Sequence, residues 1–118
     1  MKRQSLLQAF QVAFKGIGHF FMNDRNGNIH LTITLLVSAA GYYFQISIIE
    51  WCIVLLCVAL VFGLEMLNHA IEKLCDTVHP TQHPFIKVTK DVAAGAVLWS
   101  AIISVIIGLM IFLPKIFL

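Results

Sequence analysis

From Ile46 to Leu64 the chain runs through nineteen residues that carry a single charge, Glu50. A helix needs roughly 20 residues to cross a hydrocarbon core, so this run is long enough to span a bilayer. Two further apolar stretches, Ile29 to Phe44 and Val92 to Leu113, meet or approach that length, the first only by borrowing from its flanks. Hydrophobic residues make up 59% of the 118 and charged ones 12%, where a soluble domain approaches a quarter charged. The sequence therefore predicts a single domain over residues 1–118, an all-α membrane protein with three transmembrane helices.

The flanks orient it. Lys2, Arg3, Lys15 and Arg25 precede the first span, Lys73, Lys87 and Lys90 lie between the second and third, and Lys115 stands alone near the end. The positive-inside rule then puts the N-terminus and the second loop in the cytoplasm, with the turn near Gln45 and the C-terminus outside, in a multi-pass protein of the cytoplasmic membrane. Ahead of the first span, Leu6, Leu7, Phe10, Ala13, Phe14, Ile17, Phe20 and Phe21 recur every three or four residues. That stripe predicts an amphipathic helix over residues 4–22, lying in the cytoplasmic interface or, alternatively, facing a bundle core. Gln8, Gln11 and Lys15 interrupt the segment and no small-residue cleavage site follows, so it does not read as a signal peptide, and the mature chain is expected to begin here. With a net charge of +2 and scattered basic residues, no nucleic-acid surface is expected.

"MNDRNGNIH", Met22 to His30, reads as a turn, with Asn26, Gly27 and Asn28 tolerant of left-handed backbone. The first span is then expected over residues 29–45. "GYYFQIS", Gly41 to Ser47, supplies outer-boundary tyrosines and a hairpin, and Glu50 falls favourably near the start of a second helix over 47–78, long enough to extend into the cytoplasm. "HPTQHP", His79 to Pro84, cannot continue that helix. A third span over 90–115 opens with Ala93, Ala94, Gly95 and Ala96, small enough for close approach to a neighbouring helix. Cys52, Cys57 and Cys75 show no C-x-x-C spacing and are expected to be buried as small apolar side chains.

Candidate chemistry concentrates in "GLEMLNHAIEKLCDTV", Gly63 to Val78, where the second apolar run ends. On a helix turning about 100° per residue, Glu65, Asn68, Glu72 and Asp76 fall within a band of about 80°. Glu65 stands at or just inside the membrane boundary, where an ionisable group is costly and is by default a candidate for function. Desolvated by lipid, its carboxylate is suited to act as a general base toward a substrate held in the membrane. Further out, Glu72 and Asp76 offer oxygen ligands that suit Mg²⁺ and its phosphates, and Asp24, Lys90 and Asp91 come from other segments at the same level. The alternative is a solvated stripe, with Glu65 and Asn68 in interhelical hydrogen bonds. No G-x-x-x-x-G-K-[ST] or G-x-G-x-x-G run is present, so a nucleotide site here is unconventional. His79 and His83 are four residues apart, but Pro80 and Pro84 disfavour a shared helical face. His19 and His30 are isolated, and His69 reads as a packing residue or a phosphate contact.

"E-M-L-N-H-A-I-E-K-L-C-D", Glu65 to Asp76, resembles the E-x-x-N-[ST]-A-[IV]-E-x-x-x-D signature of the small prokaryotic diacylglycerol kinase family. "KDVAAGAVL", Lys90 to Leu98, is similar to its second block, and "AFKGI", Ala13 to Ile17, with "ND", Asn23 and Asp24, to its N-terminal part, so the resemblance covers essentially the whole chain. It implies a homotrimeric integral-membrane lipid kinase that uses MgATP to phosphorylate a lipid hydroxyl. Carried over by position, it makes Glu65 the general base and Asn68 the support for that base and the substrate hydroxyl. Glu72 with Asp24 would hold the metal that bridges ATP, and Asp76, Lys90 and Asp91 would lie around the nucleotide phosphates or brace the site. Two positions depart from the pattern: Asp24 stands where the family has Glu, one methylene longer, and His69 where it has Ser or Thr. "AAGAVL" and "IHL", Ile29 to Leu31, look more like the undecaprenol kinase branch, so undecaprenol is favoured over diacylglycerol as acceptor. Synthesis of phosphatidic acid from diacylglycerol is the alternative. A non-enzymatic rival, a small membrane assembly or proton-relay protein, predicts no ATP turnover.

Overall fold

A computed structural model describes residues 5–79, 81 and 83–118, which form four helices: α1 (Leu6–Asn23), α2 (Arg25–Tyr43), α3 (Ile48–Val78) and α4 (Pro84–Phe117). Lys2 and Arg3 of the basic N-terminus, and Pro80 and Gln82 of the "HPTQHP" stretch, lie outside the described residues. By length and composition α3 and α4 can each cross a membrane, with mean hydropathies of 2.4 and 2.7 over their most apolar windows. Among the described residues α2 does not reach that mark; its first two turns carry Arg25, Asn26, Asn28 and His30. Only 17% of each apolar window is buried inside the chain, which is not how a soluble protein treats its core helices. Leu56, Trp99 and Met110 instead point outward, as lipid-facing side chains do in an all-α membrane protein.

α3 has 31 residues and at 1.5 Å per residue extends about 46 Å, against a hydrocarbon core of roughly 30 Å. If its start lies at one membrane boundary, the far boundary falls near Leu67 and the last three turns stand clear of lipid. The start is well defined. Ser47 caps α3 by accepting from the Glu50 N–H (3.1 Å), and the Glu50 carboxylate accepts from the Ser47 N–H (2.9 Å). The same Glu50 Oε1 lies 3.1 Å from Lys115 Nζ, which ties the first turn of α3 to the last turn of α4. Beside this tie, Ile46, Val54 and Ile111 are buried together, with Val37, Phe44, Trp51 and Phe112 packed around them, so α2, α3 and α4 share one small core. The turn from α2 into α3 passes through Gln45 in the left-handed region, at φ 52°.

At the opposite end the structure departs from the sequence reading. The turn expected over Met22 to His30 is one residue long. Asp24, extended at φ −105° and ψ 116°, both ends α1, with its N–H donating to Phe20 O (2.8 Å), and caps α2, with its Oδ1 accepting from the Asn26 N–H (3.3 Å). Asn26, Gly27 and Asn28 are helical, and among the described residues no glycine has positive φ. The helix thus starts at Arg25, four residues ahead of the expected 29, and ends at Tyr43. Gly27 is needed for space instead: a Cβ there would stand 2.7 Å from Cζ of Phe20, a ring only 2% exposed.

Three smaller differences follow from which faces find partners. α1 leaves Leu6, Phe10 and Phe14 exposed and buries Phe20 alone, so little of its apolar stripe meets the rest of the chain. Cys75 is buried and Cys57 half-buried, but Cys52 is exposed because it shares the outward face of α3 with Leu55, Leu56 and Ala59. α4 starts at Pro84, where a proline in the first turn lacks only an N–H that would be unpaired anyway. It packs on α3 through Val97 and Ser100, whereas a Cβ on Gly95 would meet nothing within 4 Å.

Gly27→Ala should therefore destabilise the protein by about 1–3 kcal/mol through overpacking. Thermal unfolding in detergent checks this, with Phe20→Leu as the second site. In the Phe20→Leu background the alanine should cost much less, and an equal cost in both backgrounds would rule out the Phe20 contact as its cause.

Candidate functional site

Two buried polar residues occupy the middle of α3: Glu65, 1% exposed, and Asn68, 7% exposed. Both lie where the apolar run ends. Glu65 turns toward the start of α2. Its Oε2 lies 3.5 Å from Nε2 of His30, and Asp24 and Asn26 at the α1–α2 junction face the same carboxyl group. Asn68 donates through Nδ2 to Glu72 Oε1 at 3.3 Å, one turn further along the helix. Three oxygens in this group have no hydrogen-bond donor: Asp24 Oδ2, Glu65 Oε2 and Asn68 Oδ1. At 3.5 Å the His30 contact is an ion-pair distance, longer than a good hydrogen bond. Buried polar atoms are nearly always satisfied. Acceptor-only oxygens left bare on one face suit a ligand that brings a hydroxyl or a hard cation.

Beyond the bilayer-length part of α3 lies a second group. Asp76 Oδ1 accepts from Lys90 Nζ at 2.8 Å and joins α3 to α4, while Lys87 Nζ donates to Asp91 Oδ2 at 2.7 Å within α4. With His79, Thr81, His83 and Ile86 these residues line a cleft of about 220 Å³. The hydrogen bond to the Asp76 carboxylate raises the pKa of the Lys90 ammonium above its usual value and keeps it charged. The single stripe expected from Glu65 to Asp76 is thus two stations on one helix. The structure places Asp24 against Glu65 and Asn68 against Glu72 at the inner one, and Asp76, Lys90 and Asp91 at the outer one, where each charge already has a partner. His79 and His83 serve the loop: His83 Nδ1 accepts from the Phe85 N–H to cap α4, and His79 Nδ1 lies 2.7 Å from Thr81 O.

His69 packs edge-on against Phe20 and His19 of α1, with ring centroids 5.9 Å away in each case, and its Nε2 is buried without a partner. His30 and Asn26 are the neighbours of Glu65 that the sequence reading left out. They are four residues apart on α2 and share a face, but that spacing carries meaning only if the helix begins at Arg25. Asp24 also gains a reason for being Asp. A side chain that caps a helix must reach back over a short distance, where Asp is strongly preferred, and here one oxygen caps while the other remains free.

The prokaryotic diacylglycerol kinase family model matches residues 11–112, and the chain belongs to that family of membrane lipid kinases. It is 44% identical over 108 residues to an undecaprenol kinase of Bacillus subtilis, a match spanning 92% of this chain and 88% of that protein. To a diacylglycerol kinase of Synechocystis it is 38% identical over 111 residues, 93% of this chain and 63% of that protein.

Exposed ion pairs contribute little to stability. Lys90→Met should accordingly leave the thermal midpoint close to wild type while lowering ATP turnover. A large fall in the midpoint would instead make the Asp76 pair part of what holds α3 and α4 together.

Proposed function

We propose that this chain transfers the γ-phosphate of MgATP to the hydroxyl of undecaprenol. The observation that carries the reading is the buried Glu65 carboxylate, placed where the apolar part of α3 ends. A lipid alcohol presents its hydroxyl at that depth. Glu65 takes the hydroxyl proton, and the alcohol oxygen forms a bond to the γ-phosphorus as the bond to ADP breaks. Asn68 holds the Glu72 carboxylate one turn beyond the base and keeps its own Oδ1 open toward the acceptor.

Asp24 and Glu72 would hold Mg²⁺, which when bound neutralises charge on the phosphates. The donor set fits: hard oxygens, one of them a bare Asp24 Oδ2. Lys90, with Asp76 and Asp91 around it, would meet the nucleotide phosphates in the outer cleft by exchanging Asp76 for a phosphate oxygen.

Undecaprenol is favoured by the relative at 44% identity and by "IHL" and "AAGAVL"; the diacylglycerol reading is supported by the second relative. The reading includes a cytoplasmic-membrane location with the N-terminus and the α3–α4 loop inside, following the lysine and arginine distribution. It also includes the homotrimer that the family resemblance implies.

Purified protein in mixed micelles with MgATP should phosphorylate undecaprenol faster than a short-chain diacylglycerol, and EDTA should stop both reactions. Glu65→Gln should lower kcat by about 10²–10⁴-fold, the usual contribution of a general base. Glu72→Gln should raise the magnesium requirement. Wild-type turnover in both variants would remove these residues from the site, and a faster diacylglycerol reaction would reverse the substrate assignment.

A further inference from the structure

A general base is useful only while its acceptor oxygen is aimed at the substrate hydroxyl, and a misplacement of about 1 Å can cost on the order of 10²-fold in rate. Glu65 is 1% exposed, yet no hydrogen bond holds its Oε2 in place. Asp24 facing it offers only acceptor oxygens when ionised and adds a second negative charge, and the Asn26 amide faces the same carboxyl group without a hydrogen bond to Oε2. The ring nitrogen that approaches Oε2 belongs to His30, with Nε2 at 3.5 Å, a few tenths beyond hydrogen-bond length and within reach of a small ring rotation. His30 is itself steadied, its ring edge-on to Phe62 at a centroid distance of 6.3 Å, and its side chain is 21% exposed against 2% for that of Glu65. It stands one turn beyond Asn26 on the face of α2 that meets α3.

We infer that His30 is a positioning residue for Glu65, donating from Nε2–H to the carboxylate, fixing its orientation and keeping its other oxygen turned to the acceptor. This rests on the reading of Glu65 as the base. No proton is transferred by the ring; it acts as a fixed donor, which an amide of similar reach could imitate. The break at Asp24 brings α2 to Glu65 in the right register for it. A helix starting four residues later would lack the first turn that carries Asn26, and with it the capped start that sets where His30 stands.

The test uses the full chain in mixed micelles with MgATP and whichever lipid acceptor the wild type phosphorylates. His30→Gln keeps an N–H donor near the position of Nε2, whereas His30→Met and His30→Leu do not. The apolar variants should lose kcat on the order of 10²-fold with the KM for MgATP unchanged, and His30→Gln should stay within several-fold of wild type. Thermal midpoints verify folding, and two apolar variants guard against one of them failing to fold. Wild-type kcat in a folded apolar variant overturns the inference, and so does equal impairment of His30→Gln and His30→Met, which marks a packing role. Glu65→Gln is measured alongside. If it is inactive while His30→Met is unimpaired, only the role of His30 falls; if it is active, the base assignment falls and the inference with it.

Discussion

The constraint on which the arrangement depends is a mismatch of length. A helix of 31 residues is about half as long again as the hydrocarbon core it crosses, and α3 carries its polar face on the excess. With its start fixed by the Ser47 and Glu50 cap and by the Lys115 tie, every later residue acquires a depth. Glu65 falls where the apolar run of α3 ends, Glu72 about two turns further and Asp76 about three. On the proposed function, that face would run from an apolar acceptor toward a water-soluble donor. Moving the cap by one residue would rotate that face by about 100° and carry it away from α2.

The second element is supplied by a single residue that is not helical. Asp24 breaks what would otherwise be one continuous helix through α1 and α2, and it closes both ends with its own backbone and side chain. Because the break is so short, α1 leaves at once, and Phe20 rests directly on Gly27. That contact seats the junction against α3, so the Asp24 carboxyl, Asn26 and His30 all arrive beside Glu65. Capping and chemistry compete for the same two oxygens. An aspartate divides them, one to the helix and one to the site.

The helices, the apolar spans of α3 and α4 and the acidic face were legible because each rests on periodicity within one segment. Leu6 to Phe21 announced α1, and the spacing of Glu65, Asn68, Glu72 and Asp76 survives as written. What could not be read was whatever depends on one segment meeting another. "NGN" looks like a turn because those residues tolerate turn geometry, but tolerance is not a requirement, and the ring of Phe20 above Gly27 is invisible in sequence. With the start of α2 placed four residues late, Asn26 and His30 lose their common face. The same holds for Lys90 and Asp91, whose charges suggest free ligands until Asp76 and Lys87 are seen beside them. Cys52 escapes a reading from hydrophobicity for a related reason, since an apolar span in lipid has an outside as hydrophobic as its inside.

A kinase without a phosphate-binding glycine loop needs another way to gather charge around the transferring group. Phosphoryl transfer asks for alignment and neutralisation more than for covalent chemistry, and a helix face can supply alignment if its ligands are spaced along the line of transfer. Here the inner station is short of donors and the outer one is already paired, so neither is complete in the chain by itself. In the proposed reaction the lipid hydroxyl would meet the Glu65 oxygen that His30 leaves free. In the same reading, nucleotide phosphates would take Lys90 from Asp76 and leave that carboxylate free to turn to other cationic partners. An acceptor or a nucleotide alone satisfies one station and leaves the other as it was, which makes completion of the site depend on both being present.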